Sequence, residues 1–455
     1  MNSLSSGNLL GPLFASAKMR AALSDAAMLQ YILDVEAALA RAEAATGVIP
    51  KSAAASIAAA CQARHFDIAA LGKAAGNAGN VAIPLVKALT ATAAKRDKNA
   101  ARYVHWGATS QDIIDTGSVL ALREAASLLE RDLARAIKGF VSLAKKHRST
   151  VMAGRTWLQQ ALPTTFGLKA AEYAASLARA RTRMIAAVED ACVLQFGGAS
   201  GTLAALGSKG AAVARVLGKQ LDLAVPPAPW HAHSDRIANA ASAVAIAIGE
   251  CGKIARDVSL MMQTEVGEVL EPAGAGRGGS STMPQKRNPA LSAQILAAAN
   301  LAPGLVSSLL AGLVHEHERG TGGWQASWLA LPQLLLIASG AFERTAEIAT
   351  GLEVDKVRMR TNLEISNGLI MAEAVQFALA EKLGKSQANE LVAKASKQAL
   401  KSGKHLRGAL NEIPEVMEIL SGKKLADLFE PSSYLGETNK FIAAALASAE
   451  RSLKK

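Results

Sequence analysis

A repeating pattern of apolar residues runs through the middle of the chain. Its steps alternate between four and three residues, at Leu122, Ala126, Leu129, Leu133, Ala136, Phe140 and Leu143. An α-helix brings residues three and four apart onto one face, so this spacing is typical of the buried seam of a bundled helix. The pattern therefore predicts a long helix that packs against other helices.

Two further stretches predict helices. Residues 19–46 carry apolar side chains at turn spacing, and Gly47 and Pro50 stop the pattern. Residues 235–271 contain no proline and are apolar on several sides. At ~1.5 Å per residue this second helix is roughly 50 Å long. A helix of this kind is deeply buried, and we favour burial against other subunits over burial within one large monomeric bundle.

These patterns indicate an all-α fold. No alternation of apolar and polar residues is long enough to predict a useful strand. Polar loops and changes in helix length suggest three helical domains. We expect an N-terminal domain at residues 1–107, a central long-helix bundle at 108–353 and a C-terminal domain at 354–455.

Composition and charge narrow the class of protein. Half of the residues are hydrophobic and only 4% are aromatic, because alanine, the strongest helix former, supplies much of the apolar fraction. The formal net charge is +12, but the positive residues are scattered and do not alternate with aromatic ones. Nucleic-acid binding is therefore not favoured. A small anionic substrate or simple solubility accounts for the charge equally well.

Several features indicate a cytoplasmic protein without a metal site or a membrane span. Cys61, Cys192 and Cys251 are far apart and lack metal-binding spacing, so we expect reduced thiols. No basic residue precedes the apolar part of the N-terminus, which argues against a secretory signal. The most apolar long run, residues 291–314, is interrupted by Pro303, and we interpret it as buried core helices.

A first polar island interrupts the helical stretches at residues 103–116, YVHWGATSQDIIDT. It contains His105 and Gln111 and precedes a helix predicted to begin near Asp112. Free N–H groups at a helix N-terminus, together with the hydroxyls of Thr109 and Ser110, can hold a carboxylate. Capping of the helix by either hydroxyl is an equally good interpretation.

Two more islands follow. Residues 154–165, GRTWLQQALPTT, place hydrogen-bond donors beside an indole ring, although a Trp in an alanine-rich core usually serves packing. Residues 278–289, GGSSTMPQKRNP, join two glycines to a hydroxyl pair, a lysine and an amide. This third island is either a grip for an anion, in which Ser280 moves a proton, or a solvated surface loop.

Two histidine-containing stretches are weaker candidates. His315 and His317 in HEHER are two residues apart and face different sides of a helix, so they favour ion pairing over a metal site. His231 and His233 in WHAHSDR precede the long helix predicted at residue 235. They either line a pocket or lie beside a helix cap.

Together, the three islands resemble the signature regions of the fumarase/aspartase superfamily in order and spacing. GSSTMPQKRNP resembles the signature loop, and ATSQDIIDT and GRTWLQQALPTT resemble the other two regions. The resemblance spans nearly the whole chain. It implies an all-helical fold, a homotetramer with a helical core, and active sites that each draw on three subunits. It implies no cofactor and a small polycarboxylate substrate.

The resemblance also implies roles for residues of this chain. Ser280 is the acid/base that moves a proton at the carbon beside a carboxylate, although Ser281 stays an alternative, and His105 takes part in binding or proton transfer. Substrate contacts are implied for residues of the three regions and of EHERGTGGW, namely Thr109, Ser110, Gln111, Arg155, Thr156, Trp157, Gln159, Lys286, Asn288 and Arg319.

Four stretches are most similar to a bacterial branch of the superfamily that interconverts 3-carboxy-cis,cis-muconate and 4-carboxymuconolactone. They are GRTWLQ, LQFGGASGTLAALGSKG, LMMQTEVGEVLEP and EHERGTGGW. Trp157 stands where most of the superfamily has a histidine that assists the leaving group. When the lactone opens, the leaving group is a carboxylate with an ordinary pKa of about 4, which departs without a general acid. Trp157 is then available to pack on the diene or lactone ring.

The implied reaction is an intramolecular carboxylate addition and β-elimination through an aci-carboxylate intermediate, in protocatechuate breakdown. A fumarate-releasing lyase similar to adenylosuccinate lyase is one alternative, which Trp157 argues against. A non-catalytic structural member is another, and the intact Ser280, Lys286 and Asn288 argue against it. His233 departs from the glutamine that relatives often carry, so its role stays open.

Overall fold

The computed structural model describes residues 7–274, 278–279, 282–283 and 285–454. Within these residues the chain is predominantly helical, and the β-structure consists of two two-stranded pairs and one isolated bridge between Val193 and Ala224. The predicted all-α fold class is confirmed. Ser280 and Ser281, the predicted acid/base and its neighbour, lie outside the described residues.

In the described residues before the first polar island there are six α-helices. They are α1 Gly11–Phe14, α2 Ala17–Ala22, α3 Asp25–Ala45, α4 Lys51–Ala60, α5 Ile68–Ala78 and α6 Ala82–Ala94. The prediction of a single helix over residues 19–46 is wrong, because the helix is interrupted between α2 and α3. The Ser24 side chain accepts a hydrogen bond from the Ala27 N–H at 3.3 Å, and this cap starts a new helix.

Six α-helices form the described part of the middle of the chain. They are α7 Ser110–Lys146, α8 Phe166–Ala191, α9 Gly210–Leu221, α10 Asp235–Met261, α11 Ala290–Ala311 and α12 Gly323–Gly351. The apolar seam predicted for α7 is confirmed, since every member except Ala126 is buried. Helix α10 is shorter than predicted. It ends ten residues before Glu271, because Gly267 adopts a φ of 59° and the following residues pair as a strand.

From residue 356 to residue 454, the last one described, there are seven α-helices. They are α13 Lys356–Glu364, α14 Ala372–Leu383, α15 Lys385–Ser402, α16 Leu406–Asn411, α17 Pro414–Ile419, α18 Gly422–Leu428 and α19 Thr438–Ser452. Helices α14 to α18 bury a shared apolar cluster that includes Val375, Leu379, Val392, Leu410 and Leu425. This cluster gives the C-terminal helices a core of their own.

The second polar island is a β-hairpin, so the expectation of a strand-free chain is wrong. The strands β1 Val151–Thr156 and β2 Gln159–Thr165 are antiparallel, and β3 Val269–Leu270 pairs with β4 Glu353–Val354. The turn of the hairpin consists of Trp157 and Leu158, with φ of 52° and 64°. Two positive φ angles match a type I′ turn, which usually contains Asn-Gly or Asp-Gly. Trp-Leu gives no such signal in the sequence.

The chain forms two compact units. The first comprises Met1–Leu133, Ala180–Gly252 and Gln294–Glu343, and the second comprises Ala134–Arg179, Lys253–Ala293 and Arg344–Lys455. In the first unit α3 packs against α4 and α9, and in the second unit β1 packs against α13. Each unit therefore gathers segments that are far apart in sequence. The three-domain division at residues 107 and 353 stays a prediction.

Helices α10, α11 and α12 are long and apolar enough to cross a membrane, when only length and composition are considered. More than half of the apolar window is buried in α10 and in α12, but only 28% is buried in α11. The run at residues 291–314 forms one helix up to Ala311, but the predicted burial is not found within one chain, because most of this helix is not buried there. Leu301 and Leu310 are among its exposed side chains.

Candidate active site

The first polar island forms the start of α7. The helix begins at Ser110, and the Thr109 backbone N–H donates to Asp112 Oδ2 at 2.9 Å while the Asp112 N–H donates to the Thr109 carbonyl at 3.0 Å. Thr109 therefore occupies the N-cap position, and Asp112 supplies one half of a capping box, the carboxylate that accepts from the N-cap N–H. This cap fixes the backbone that carries the Thr109 and Ser110 hydroxyls.

Asp112 also anchors two other parts of the first unit. Its buried carboxylate accepts hydrogen bonds from the Gly197 and Gly198 N–H groups, each at 2.9 Å, and from His231 Nε2 at 2.7 Å. Sequence reasoning did not assign Asp112 a role. Of the two interpretations left open for His231, a pocket lining or a place beside a helix cap, the first is found, because the buried His231 side chain lines a cavity of the first unit.

Gln111 and Arg319, predicted separately, are in contact. The Gln111 Oε1 accepts a hydrogen bond from Arg319 Nε at 3.0 Å, and its Nε2 donates to Asp115 Oδ2 at 2.9 Å and to the His231 carbonyl at 2.8 Å. Arg319 also donates to the Ala199 carbonyl at 3.1 Å. Gln111 therefore orients Arg319. Residues 314–319 form no helix, so the assumption that HEHER is helical is wrong.

The cavity beside Gln111 is mostly apolar. It has a volume of about 760 Å³ and is lined by Trp230, Trp324 and Trp328 together with Asp25 and Asp115, but by no described Lys or Arg. Burial raises the pKa of Asp115 to about 6, against hydrogen bonds from Trp324, Gln111 and Gln195 that lower it. The lining includes His231 and His315 but no permanently charged cation among the described residues, so the cavity by itself is poorly suited to a polycarboxylate.

His105 is held by a buried carboxylate. Its Nδ1 lies 2.6 Å from Glu36 Oε1, and Glu36 is 1% exposed. Burial alone lowers the pKa of His105, but the charge and hydrogen bond of Glu36, with the charge of Asp112, raise it above its ordinary value. Glu36 thus favours the protonated form of His105 more than an ordinary environment would. Glu36 could have been noticed in the sequence, because a charged residue among the apolar residues of the predicted N-terminal helix indicates a buried carboxylate that needs a partner.

The hairpin of the second unit carries four predicted residues. Arg155 donates to both carboxylate oxygens of the buried Glu268, at 2.9 and 2.7 Å, and Asn362 Nδ2 donates to the same carboxylate at 2.8 Å. Arg155 therefore fastens the hairpin from within. Thr156, Trp157 and Gln159 lie together at the exposed tip, where the Trp157 side chain is 97% exposed.

The third island is described in part. The Asn288 N–H donates to the Gly278 carbonyl at 2.8 Å, and the Lys286 N–H donates to the Met283 carbonyl at 3.1 Å. Gly278 has a φ of 63°, and a Cβ there would lie 2.6 Å from the Asn288 carbonyl oxygen. A glycine is therefore required at this position. Lys286 is exposed and Asn288 is half-buried.

The predicted site residues are thus divided between the units. His105, Thr109, Ser110, Gln111 and Arg319 belong to the first unit, and Arg155, Thr156, Trp157, Gln159, Lys286 and Asn288 belong to the second. Across the described part of the chain, no three His, Cys, Asp or Glu side chains cluster as metal ligands.

Known proteins resemble this chain over its whole length. A 3-carboxy-cis,cis-muconate cycloisomerase of Bradyrhizobium diazoefficiens is 60% identical over 443 residues, covering 97% of this chain and 98% of that protein. Its namesake from Pseudomonas aeruginosa is 50% identical over 447 residues, covering 98% and 97%. The crystal structure of 3-carboxy-cis,cis-muconate lactonizing enzyme from Pseudomonas putida superposes with a TM-score of 0.94 at 46% identity, covering 98% of this chain and 100% of that one.

Two family models account for most of the sequence. Residues 14–304 match the model described as lyase, and residues 368–445 match the C-terminus of adenylosuccinate lyase. The first match alone spans more than half of the chain, and it includes all three signature islands. The chain therefore belongs to the lyase family of the fumarase/aspartase superfamily.

Proposed function

We propose that the protein interconverts 3-carboxy-cis,cis-muconate and 4-carboxymuconolactone, in the breakdown of protocatechuate. The observation that carries this proposal is identity of 50 to 60%, over nearly the full length of both chains, to proteins that bear the name of this cycloisomerase. Trp157, at the tip of the hairpin, supports the same assignment because the reaction needs no general acid for its leaving group.

The reaction moves one proton and one carbon–oxygen bond. In the lactone-opening direction Ser280 removes the proton from the carbon beside a carboxylate, and an aci-carboxylate forms. The electron pair then returns to form the double bond, and the ring oxygen leaves as a carboxylate. In the reverse direction that carboxylate adds to the double bond and Ser280 returns the proton. Lys286, Asn288 and the His105 imidazolium stabilise the added negative charge.

We assign the remaining predicted residues to substrate binding. Thr109 and Ser110 present hydroxyls at a helix start that favours anions, and Arg319 adds a cation oriented by Gln111. At the hairpin tip, Thr156 and Gln159 supply hydrogen bonds and Trp157 packs on the planar substrate. Arg155 supports this tip from its ion pair with Glu268.

We further propose a cytoplasmic homotetramer with active sites built from three subunits. The apolar surface of α11 that one chain leaves exposed supports burial against other subunits, and the same packing accounts for the apolar α10 and α12 without a membrane. The 97% exposure of Trp157 in a single chain supports a composite site, because a substrate-packing indole needs a covering wall.

A spectrophotometric assay tests the reaction. Purified protein is expected to remove the absorbance of 3-carboxy-cis,cis-muconate, and Ser280→Ala is expected to lose most of the turnover while the assembly state is unchanged. Ser281→Ala is the matched control and is expected to retain turnover. Fumarate release from adenylosuccinate by the wild type would instead favour the fumarate-releasing alternative, and inactivity with both substrates would favour a structural role.

A further inference from the structure

The two ends of the segment 272–290, which contains the third island, are tied together by a buried carboxylate. Glu271 immediately precedes the segment 272–290, and its 6% exposed side chain accepts three hydrogen bonds from the first turn of α11. The donors are the Leu291 N–H at 2.9 Å, the Ser292 N–H at 2.7 Å and the Ser292 hydroxyl at 2.7 Å. The residue before the segment thus caps the helix that follows it.

A second carboxylate ties the same ends. Glu353, on β4, pairs with both nitrogens of the Arg287 fork, at 2.9 and 3.2 Å, and also accepts a hydrogen bond from the Ala273 N–H. Arg287 Nη2 donates in addition to the Glu271 carbonyl at 2.6 Å. Arg287, which makes these contacts, lies in sequence between Lys286 and Asn288, the two residues assigned to the substrate carboxylate.

Arg287 has two possible roles, substrate binding and support of the backbone around it. A cation in the sequence KRN is a natural partner for a polycarboxylate, yet the Arg287 fork is already paired with Glu353. The hydrogen bond from Arg287 lowers the pKa of Glu353, so the carboxylate stays charged at neutral pH and competes with any anionic ligand. Pairing to Glu353 and to the Glu271 carbonyl makes Arg287 a structural tie.

We propose that Arg287 and Glu353 are positioning residues of the active site. They join the two ends of the segment 272–290 and so fix the backbone that presents Lys286 and Asn288 to the substrate. Neither side chain contacts the substrate. The inference rests on the proposed cycloisomerase reaction for its kinetic readout, but the tie itself is a property of the protein without substrate.

Glu353→Gln separates the two roles by the sign of its effect. If Arg287 positions the segment, the variant raises KM and lowers kcat, with a fall in kcat/KM of about tenfold or more, because small misplacements of binding groups are costly. If Arg287 binds the substrate, removing its competitor lowers KM. A lowered KM, or kinetics equal to those of the wild type, overturns the proposal.

The variant Arg287→Lys tests the same proposal independently. It keeps the charge but loses the planar fork that reaches Glu353 and Glu271 together. We expect the same defect as in Glu353→Gln, and the double variant is expected to be no worse than either single one, because both remove one interaction. Wild-type kcat/KM in Arg287→Lys would show that charge alone suffices, which contradicts a positioning role.

The second unit offers a matched control. Arg360 and Glu430 also form a two-pronged pair, at 2.9 and 3.3 Å, and their exposure of 45% and 49% is close to the 36% and 48% of Arg287 and Glu353. Glu430→Gln is expected to keep wild-type kinetics. Exposed pairs contribute little to stability, so Glu353→Gln and Glu430→Gln should each change Tm by less than about 4 °C.

Hydrogen exchange distinguishes failure of this inference from failure of the proposed reaction. In Glu353→Gln without substrate, the amides of Ala273 and Asn288 are expected to exchange faster than in the wild type and in Glu430→Gln. Unchanged exchange there would contradict the tie even if kcat/KM fell. A wild type that is inactive with muconate would contradict only the proposed reaction, and the exchange result would still decide the tie.

Discussion

At the scale of single residues, buried carboxylates control the charge of their neighbours. Glu36 has one oxygen on His105 at 2.6 Å, and it contributes to the raised pKa of that imidazole. A charged His105 suits the binding of a carboxylate in the proposed reaction. The Glu36 side chain acts through His105 and does not need to reach the substrate.

The variant Glu36→Gln tests this coupling. Removing the carboxylate charge is expected to lower the pKa of His105, so His105 loses its proton at a lower pH. The alkaline fall of kcat/KM, followed as a pH profile of muconate turnover, should therefore move to lower pH. Gln30→Ala, on the same helix, is a control expected to leave the profile unmoved. An alkaline limb at the wild-type position in Glu36→Gln would contradict the coupling.

A second buried carboxyl, Glu43, lies two turns further along α3. It is 0% exposed, and among the described residues neither of its oxygens has a hydrogen-bond partner. Burial, and then the charge of Glu36, raise the pKa of Glu43 from 4.5 to about 9. The folded protein therefore holds this group protonated at neutral pH.

Glu43 makes the stability depend on pH. Because its pKa is higher in the folded state, its stabilising effect is complete below about pH 4.5 and is lost as the pH rises towards 9. The loss is on the order of a few kcal/mol. In Glu43→Gln the fall of Tm between pH 6 and 9 should be smaller than in the wild type. Parallel Tm curves for the two proteins would contradict this role.

At the scale of elements, the hairpin turn is strained. Trp157 and Leu158 both have positive φ, and neither has the small or hydrogen-bonding side chain that tolerates this region. Such strain costs on the order of 1–2 kcal/mol per residue and persists where the surroundings or a function require it. The exposed Trp157 side chain, predicted to contact substrate, is a functional reason for retaining the turn.

Leu158→Gly is expected to relieve part of this strain. Leu158 is 76% exposed, so few contacts are lost, and glycine adopts a φ of 64° without a steric penalty. After the greater entropy loss of glycine, we expect a gain of roughly 0.5–1 kcal/mol in unfolding free energy. Leu158→Ala, which keeps the Cβ, is the control and should show no gain. Equal stabilities for the two variants would exclude strain at Leu158.

The elements also show how far periodicity alone reaches. The seam of α7 was predictable because a spacing of three and four residues is enforced by helix geometry. The end of α10 was not, because Val269 and Leu270 leave the helix to pair with Val354 and Glu353, which lie far along the chain. The hairpin was missed for a different, local reason. Its strands are short and its turn lacks glycine.

At the scale of the whole molecule, α11 is an apolar helix that a single chain leaves largely exposed. Its apolar window has a mean hydropathy of 1.4 and is 28% buried. Large exposed apolar surfaces in a protein of this kind mark contacts with other chains. The proposed homotetramer supplies those contacts.

Leu301→Glu tests the proposed assembly. Leu301 is 55% exposed on α11, and a charge there should prevent burial against another subunit. Light scattering coupled to size-exclusion chromatography is expected to show a smaller species than the wild type, with reduced turnover. Leu400→Glu, at a leucine that is 70% exposed on α15, is the control and should leave the assembly intact. A wild-type mass for Leu301→Glu would exclude this face as an interface.

The sequence by itself determined the helical fold class, the family and the residue types of the three islands, because periodicity and motifs are local properties. Only the tertiary structure decided which partners those residues have. Glu36 reaches His105 across 69 positions, and Arg155 reaches Glu268 across 113. Such pairs carry no spacing signal, since their proximity depends on how every intervening helix packs. The raised pKa of His105 and the contacts of Arg287 therefore follow from the fold and not from the motif.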